Sequence, residues 1–324
     1  MHTEEQLLKK VNEYISSIQY AEQPEGLYAP IKYTMALGGK RIRPVLMLMA
    51  YNLYNDDVDS IMPNAIGLET YHNFTLLHDD LMDKADMRRG QATVHKKWNA
   101  NTAILSGDTM LILAYKLMSQ NNNDNFIEAL NSFNEATLGV CEGQQYDMDF
   151  ESRTDVTEEE YMEMIRLKTS LLLAYALKIG AQLAGATSED AQNLYDFGEK
   201  MGLAFQLQDD LLDVYGDPAI FGKKIGGDIV CNKKTFMLIN ALNKANSEQK
   251  ETLLEWIKKE EFDTAEKISA VTEIYNAIGI KSICQEKIDN LFAQSLLSLE
   301  KVKVEESKKV ALKEFAINLM ERKH

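Results

Sequence analysis

The placement of proline is what most constrains this chain. Its five prolines stand at positions 24, 30, 44, 63 and 218, so residues 64–217 and 219–324 contain none. Proline inside a helix removes a backbone donor and clashes with the preceding turn. Such long proline-free tracts therefore fit a mostly helical protein, and the alternating patterns of strands are scarce. Apolar residues make up 45% of the 324, enough for a large core near the size at which chains often divide. No Gly/Ser/Pro-rich linker interrupts the sequence, so a single domain over 1–324 is expected. Residues 4–20 read as an amphipathic helix, Pro24, Gly26 and Pro30 as a turn, and residues 236–324 as packing helices without a chemical motif.

The formal net charge of −15 argues against a nucleic-acid surface and requires any phosphorylated substrate to meet a locally basic site. Cys141, Cys231 and Cys284 show no CxxC spacing, which points to a reducing compartment. Met1 to Tyr20 has no apolar signal core. The longest apolar run, Leu171 to Ala186, carries Lys178 and is too short to span a bilayer. The expectation is a cytoplasmic protein without stable membrane insertion.

Two acidic stretches, Asp79-Asp80-Leu81-Met82-Asp83 and Asp209-Asp210-Leu211-Leu212-Asp213, each close an apolar, helix-like run. On helices the first and last aspartates are i,i+4 pairs, about 40° apart around the axis. Like charges at that spacing destabilise a helix, so two such pairs call for a common reason. Mg²⁺ held by carboxylates and completed by substrate phosphates is one; a solvated acidic face is the other reading. Nearby cations favour the metal. They lie in Gly38-Gly39-Lys40-Arg41-Ile42-Arg43-Pro44, Arg88-Arg89-Gly90, Lys168-Thr169-Ser170, Lys223-Lys224 and Asn232-Lys233-Lys234-Thr235. Cations at a helix start oppose its dipole unless an anion binds there. Leu68, His72, Thr75, Asp79 and Asp83 share one helical stripe, so His72 is either a hydrogen-bonded core residue or a donor to a phosphate.

These parts exceed what one phosphate needs and suit two diphosphates, one held through Mg²⁺ and one by Lys and Arg directly. No Ser/His/Asp arrangement with recognisable spacing and no Walker loop is present. A reaction without a protein nucleophile fits best, in which metal-assisted departure of an allylic diphosphate leaves a stabilised carbocation.

In this order the motifs resemble the trans-isoprenyl diphosphate synthases (polyprenyl synthetases) over nearly the whole chain. The resemblance implies an all-α bundle around a deep central cavity, usually in a homodimer. It also implies condensation of isopentenyl diphosphate with dimethylallyl, geranyl or farnesyl diphosphate. Carried over by motif, Asp79, Asp83 and Asp209 match the principal Mg²⁺ ligands, and Asp80, Asp210 and Asp213 the remaining motif positions. Lys40, Arg43, His72 and Arg89 match the grip on isopentenyl diphosphate. Arg88, Lys168, Lys224 and Lys233 match that on the allylic diphosphate, with Lys223 an alternative to Lys224. Thr169 and Gln206 fall near the reacting carbons.

The resemblance also makes Phe74, five residues before Asp79, and Tyr71 the floor that sets product length, with Thr75 beside them. Ideal helix geometry turns Phe74 about 140° from Asp79 and leaves Thr75 nearer the metal face, so Phe74 as ordinary core is the competing reading. An aromatic at position 74, and no insertion in the first motif, leads to a twenty-carbon rather than a fifteen-carbon product. A class I terpene cyclase would not need the GGKRIRP turn, and a silent regulatory subunit would show eroded aspartates.

Overall fold

The computed structural model describes residues 1–120, 124–217 and 225–321. Its architecture is all-α, as expected. The first part comprises α1 (Glu4–Ser17), α2 (Glu25–Ala36), α3 (Ile42–Asn52), α4 (Met62–Met82), α5 (Val94–Lys97) and α6 (Ala100–Met118). Then come α7 (Phe126–Glu151), α8 (Glu158–Ile165), a π-helical turn (Arg166–Ser170), α9 (Leu171–Leu183) and α10 (Ser188–Tyr215). Helices Gly227–Val230, Phe236–Lys244, Ser247–Lys258, Thr264–Ile278, Ile280–Glu300 and Glu306–Met320 follow. The described strands form one ribbon, Met87–Arg88 against Gln91–Ala92.

Local chemistry explains the helix starts. Thr3 and Gln6 form a reciprocal capping box on α1, and Thr157 and Glu160 do so on α8. Glu158 to Glu160 are thus the first turn of α8, where their charge complements the dipole. The expected turn is corrected: Gly26 and Pro30 both lie inside α2, and only Pro24, its N-cap, precedes it. The Pro30 ring is buried and its carbonyl accepts from Thr34 Oγ1 at 2.9 Å, so packing outweighs the one backbone hydrogen bond that proline forfeits. The first helix stops at Ser17, not residue 20.

The chain forms two compact units, neither continuous in sequence: residues 1–137, 175–194 and 303–312, and residues 138–174, 195–302 and 313–324. In the first, α4 runs against α6. From Asn64 to Tyr71 α4 is buried all round, and beyond it the helix emerges until Asp79 is half-exposed and Asp83, the C-cap, is exposed. The apolar half anchors the helix and delivers the acidic half to the surface. Ile31, Met35, Leu77, Val94, Ala103 and Met110 pack around that second half. In the second unit α10 packs through Leu207 and Leu211 into a core with Tyr161, Phe236, Tyr275 and Ile280. No helix of the described residues is long and apolar enough to cross a membrane.

Candidate active site

The GGKRIRP turn in the first unit depends on left-handed backbone. Gly38, Gly39 and Arg41 have φ of 76°, 133° and 48°. A Cβ on Gly39 would lie 2.8 Å from Arg89 Cζ, so the glycine admits the guanidinium as well as the turn. Arg89 Nη1 also donates to the Gly38 carbonyl. Arg41 does not join a surface anion site. It runs inward, where Nη1 donates to Glu69 Oε1 and Nη2 to the Met35 carbonyl, both at 2.7 Å. Both side chains of that ion pair are 2% exposed, and breaking such a pair costs about 3–5 kcal/mol.

Arg43 and Arg89 form no ion pair among the described residues. Arg43 Nη1 donates to His72 Nε2 at 3.1 Å, while its Nε is buried without a hydrogen-bond partner. Burial pulls the Arg43 pKa down to about 10, with Glu69 opposing and Arg89 assisting. His72 is held well below its ordinary pKa by burial and then by Arg43, Arg89, Arg88 and Arg41. The imidazole is therefore neutral, and because Nε2 accepts from Arg43 its proton sits on Nδ1. Lys40 is exposed on the same turn.

The ribbon after the first acidic motif closes through Arg89 and Gly90, both at positive φ (52° and 75°), the signature of a two-residue type I′ turn. Arg88 thereby turns back onto Asp80: Nε lies 2.8 and 2.9 Å from the two carboxylate oxygens, and Nη2 lies 2.7 Å from Oδ1. Asp80 is buried. Below it, the Phe74 ring sits 5.5 Å from Tyr71 and 4.8 Å from His78. Tyr71 is fixed by its hydroxyl, which donates to the Thr137 carbonyl at 2.8 Å, and by an edge contact to Phe133. Thr75 Oγ1 donates to the His72 carbonyl at 2.8 Å.

In the second unit the Lys168-Thr169 pair lies in the π turn, closed by a bond from Leu171 N–H to the Arg166 carbonyl five residues back. A Cβ on Gly143 of α7 would come 2.4 Å from Lys168 N, so the wider turn fits only against glycine. Lys168 Nζ donates to Asp147 Oδ2 at 2.5 Å. Thr169 Oγ1 donates to Gln206 Oε1 at 3.0 Å, Gln206 Nε2 donates to Asp210 Oδ1 at 2.9 Å, and the Tyr161 hydroxyl donates to Asp210 Oδ2. Asp210 is buried, and burial pushes its pKa up to about 7, with Lys233 opposing and Asp228 assisting. Asp213 Oδ2 accepts from Asp228 N–H at 2.9 Å, tying the following loop to α10. Lys233 is exposed, and Asp209 is half-buried. Lys223 and Lys224 lie outside the described residues.

The first unit thus gathers Arg43, His72, Arg88, Arg89 and Asp80, and the second gathers Lys168, Thr169, Gln206 and Asp210. Sequence reading missed Glu69, Asp147 and Tyr161 as partners of residues in the motifs. They stand 28, 21 and 49 positions from those partners, beyond the reach of any local pattern.

The polyprenyl synthetase family profile matches residues 24–276. The geranylgeranyl diphosphate synthase of Methanosarcina mazei is 41% identical over 236 residues, 72% of this chain and 73% of that protein. The short chain isoprenyl diphosphate synthase of Methanocaldococcus jannaschii is 40% identical over 250 residues, 77% of this chain and 76% of that protein. A crystal structure of a geranylgeranyl pyrophosphate synthase superposes with a TM-score of 0.95 at 42% identity, covering 100% of both chains. With motifs, fold and these likenesses in agreement, the chain belongs to the polyprenyl synthetase family.

Proposed function

We propose that this chain is a prenyltransferase that condenses isopentenyl diphosphate with allylic diphosphates, and that its main product is geranylgeranyl diphosphate. The observation that carries the reading is the pair Arg43 and Arg89, without ion pairs among the described residues, beside neutral His72 at the GGKRIRP turn. This site needs a multivalent anion and no metal, whereas a terpene cyclase, with one diphosphate to bind, has no use for it. Lys40, Arg43 and Arg89 hold isopentenyl diphosphate, and His72 orients Arg43. Lys168 and Lys233 hold the allylic diphosphate, and Lys224 is proposed to join them.

The donors at the motif ends are all carboxylate oxygens, the hard ligands that suit Mg²⁺. Asp79 and Asp83 at the end of α4 would hold Mg²⁺ in the first unit, where Asp80, forked onto Arg88, has the smaller part, and Asp209 and Asp213 on α10 would hold it in the second. When bound, the ion neutralises the charge of the departing diphosphate. In the reaction the allylic C–O bond breaks and its electron pair leaves with the diphosphate. The double bond of isopentenyl diphosphate then attacks the allylic cation. The attack leaves a tertiary cation on the former isopentenyl unit. The released diphosphate takes a proton from the carbon beside that cation, whose C–H electrons form the new double bond, in keeping with a site that presents no obvious base among the described residues. Thr169 and Gln206, fixed to each other, present fixed dipoles near the cation.

Residues 1–324 are read as one synthase domain, working in the cytoplasm on isoprenoid diphosphates. Leu105 and Ile112, seven positions apart on α6, are 60% and 68% exposed, which supports a homodimer through that face. The aromatic stack of Phe74 on Tyr71 supports a product floor. The test is incubation with Mg²⁺, isopentenyl diphosphate and each allylic starter, followed by product sizing. Twenty-carbon product is expected, and Phe74→Ala should lengthen it, with Phe74→Ala/Tyr71→Ala longer still. Activity without isopentenyl diphosphate, yielding a cyclic hydrocarbon, would overturn the assignment.

A further inference from the structure

Lys267, on the helix Thr264–Ile278, is 1% exposed, and its contacts among the described residues include no carboxylate. Its ammonium donates to Asn232 Oδ1 at 2.7 Å and to the Val230 carbonyl at 3.2 Å, and lies 4.1 Å over the Phe262 ring. Burying an ammonium on neutral oxygens alone is expensive, and burial accordingly lowers its pKa, with Cys231 opposing. An apolar residue would fill that space at less cost, so the ammonium's contacts call for an explanation.

Both hydrogen bonds fall on the segment from the end of the helix Gly227–Val230 to Lys233. Asn232 adopts a left-handed φ of 55°, and its Nδ2 donates to the Ile257 carbonyl at 3.1 Å, so its side chain is gripped from both ends. Lys233 N–H donates to the Asp228 carbonyl at 2.9 Å, and Asp228 N–H donates to Asp213 on α10. The segment is therefore tied at one end to the second aspartate motif and at the other to Lys267. Lys233 and Lys267 also line one cavity, of about 20 Å³, which holds a water and no larger ligand. Lys267 thus has no substrate of its own to meet.

We propose that Lys267 is a positioning residue: through Asn232 it fixes the backbone that aims Lys233 at the allylic diphosphate. This rests on the reading of Lys233 above. The test compares steady-state kinetics of the full-length wild type, Lys267→Met, Lys233→Ala and the double variant, with farnesyl and isopentenyl diphosphates varied in turn. Lys267→Met should raise the allylic KM about tenfold, the scale of one lost charged hydrogen bond, and leave the isopentenyl KM within about twofold. The double variant should match Lys233→Ala alone, because the effect of Lys267 passes through Lys233. A role in general stability would instead lower apparent kcat and add to the Lys233→Ala effect. Asn232→Gly tolerates the positive φ, removes the acceptor and should reproduce the allylic effect, which covers the case in which Lys267→Met does not fold. An unchanged allylic KM in both Lys267→Met and Asn232→Gly, with Lys233→Ala impaired, overturns the positioning role. An unchanged allylic KM in Lys233→Ala overturns the reading beneath it.

Discussion

Asp80 and Asp210 hold the same place in two DDxxD stretches, yet one meets a guanidinium and the other a phenol and an amide. Asp80 takes a forked ion pair from Arg88. Asp210 takes neutral hydrogen bonds from Tyr161 and Gln206, and burial lifts its pKa to about 7. Both arrangements turn the middle carboxylate inward. They differ in what they do to the local field. Around the first motif four arginines converge on His72, two of them neutralised by Glu69 and Asp80, which leaves positive charge for an anion. The second motif is braced by dipoles, so its negative charge is offset chiefly from a distance by Lys233. A repeated motif in the sequence therefore conceals one basic site and one acidic site.

The comparison is sharpest where the two motifs should agree. Asp79→Ala and Asp209→Ala should each lower kcat by about 10²-fold or more, the scale seen when stabilisation of a developing charge is removed. Near-normal turnover in either folded variant would make that motif dispensable. The next effect separates the substrates. Arg43→Ala should raise the KM for isopentenyl diphosphate, and Lys168→Ala that for the allylic partner, each about tenfold for a lost charged hydrogen bond. Equal effects on both substrates from both variants would dissolve the division.

Stability should then tell the middle carboxylates apart. Asp80→Asn strips Arg88 of its counter-charge and should cost about 2 kcal/mol in urea unfolding at pH 7. Asp210→Asn should cost less, because that carboxyl binds a proton more readily folded than unfolded. Between its ordinary 3.8 and about 7 the wild type loses stability as pH rises, so the Asn variant should gain on it over that window. The smallest effect concerns His72. Unfolded, it takes up a proton near 6.5; folded, it resists, so stability falls as pH drops below 6.5. His72→Gln removes that loss and should narrow the fall in Tm between pH 7 and 5.5 by about 2 °C.

The helices and both acidic motifs were legible because each announces itself within a few turns, through proline-free apolar runs that end in aspartates. The inward course of Arg41 was not. In sequence it is one of three like cations, and only the buried Glu69 separates it from Lys40 and Arg43. The type I′ turn was missed because its first central residue is Arg89, where asparagine or glycine is the usual signal. Pro30 misled in the other direction, since a proline can be carried within a helix where its ring is buried. The π turn was invisible because Leu167 to Leu177 is apolar on nearly every face, so a slip in helical phase leaves no trace.

That π turn amounts to one residue more than an α-helix needs between Arg166 and Leu171. One residue is 100° of rotation and 1.5 Å of travel. Deleting Leu167 would let α8 and α9 join as one continuous α-helix, and every motif quoted above would survive letter for letter. The phase between the two flanks would not survive. Tyr161, before the deletion, could keep Asp210, or Lys168 and Thr169, after it, could keep Asp147 and Gln206, but the two sets could no longer be met together. In this stretch the chain stores its chemistry as a count of residues, so a shortened relative with all the right letters would still be a different machine.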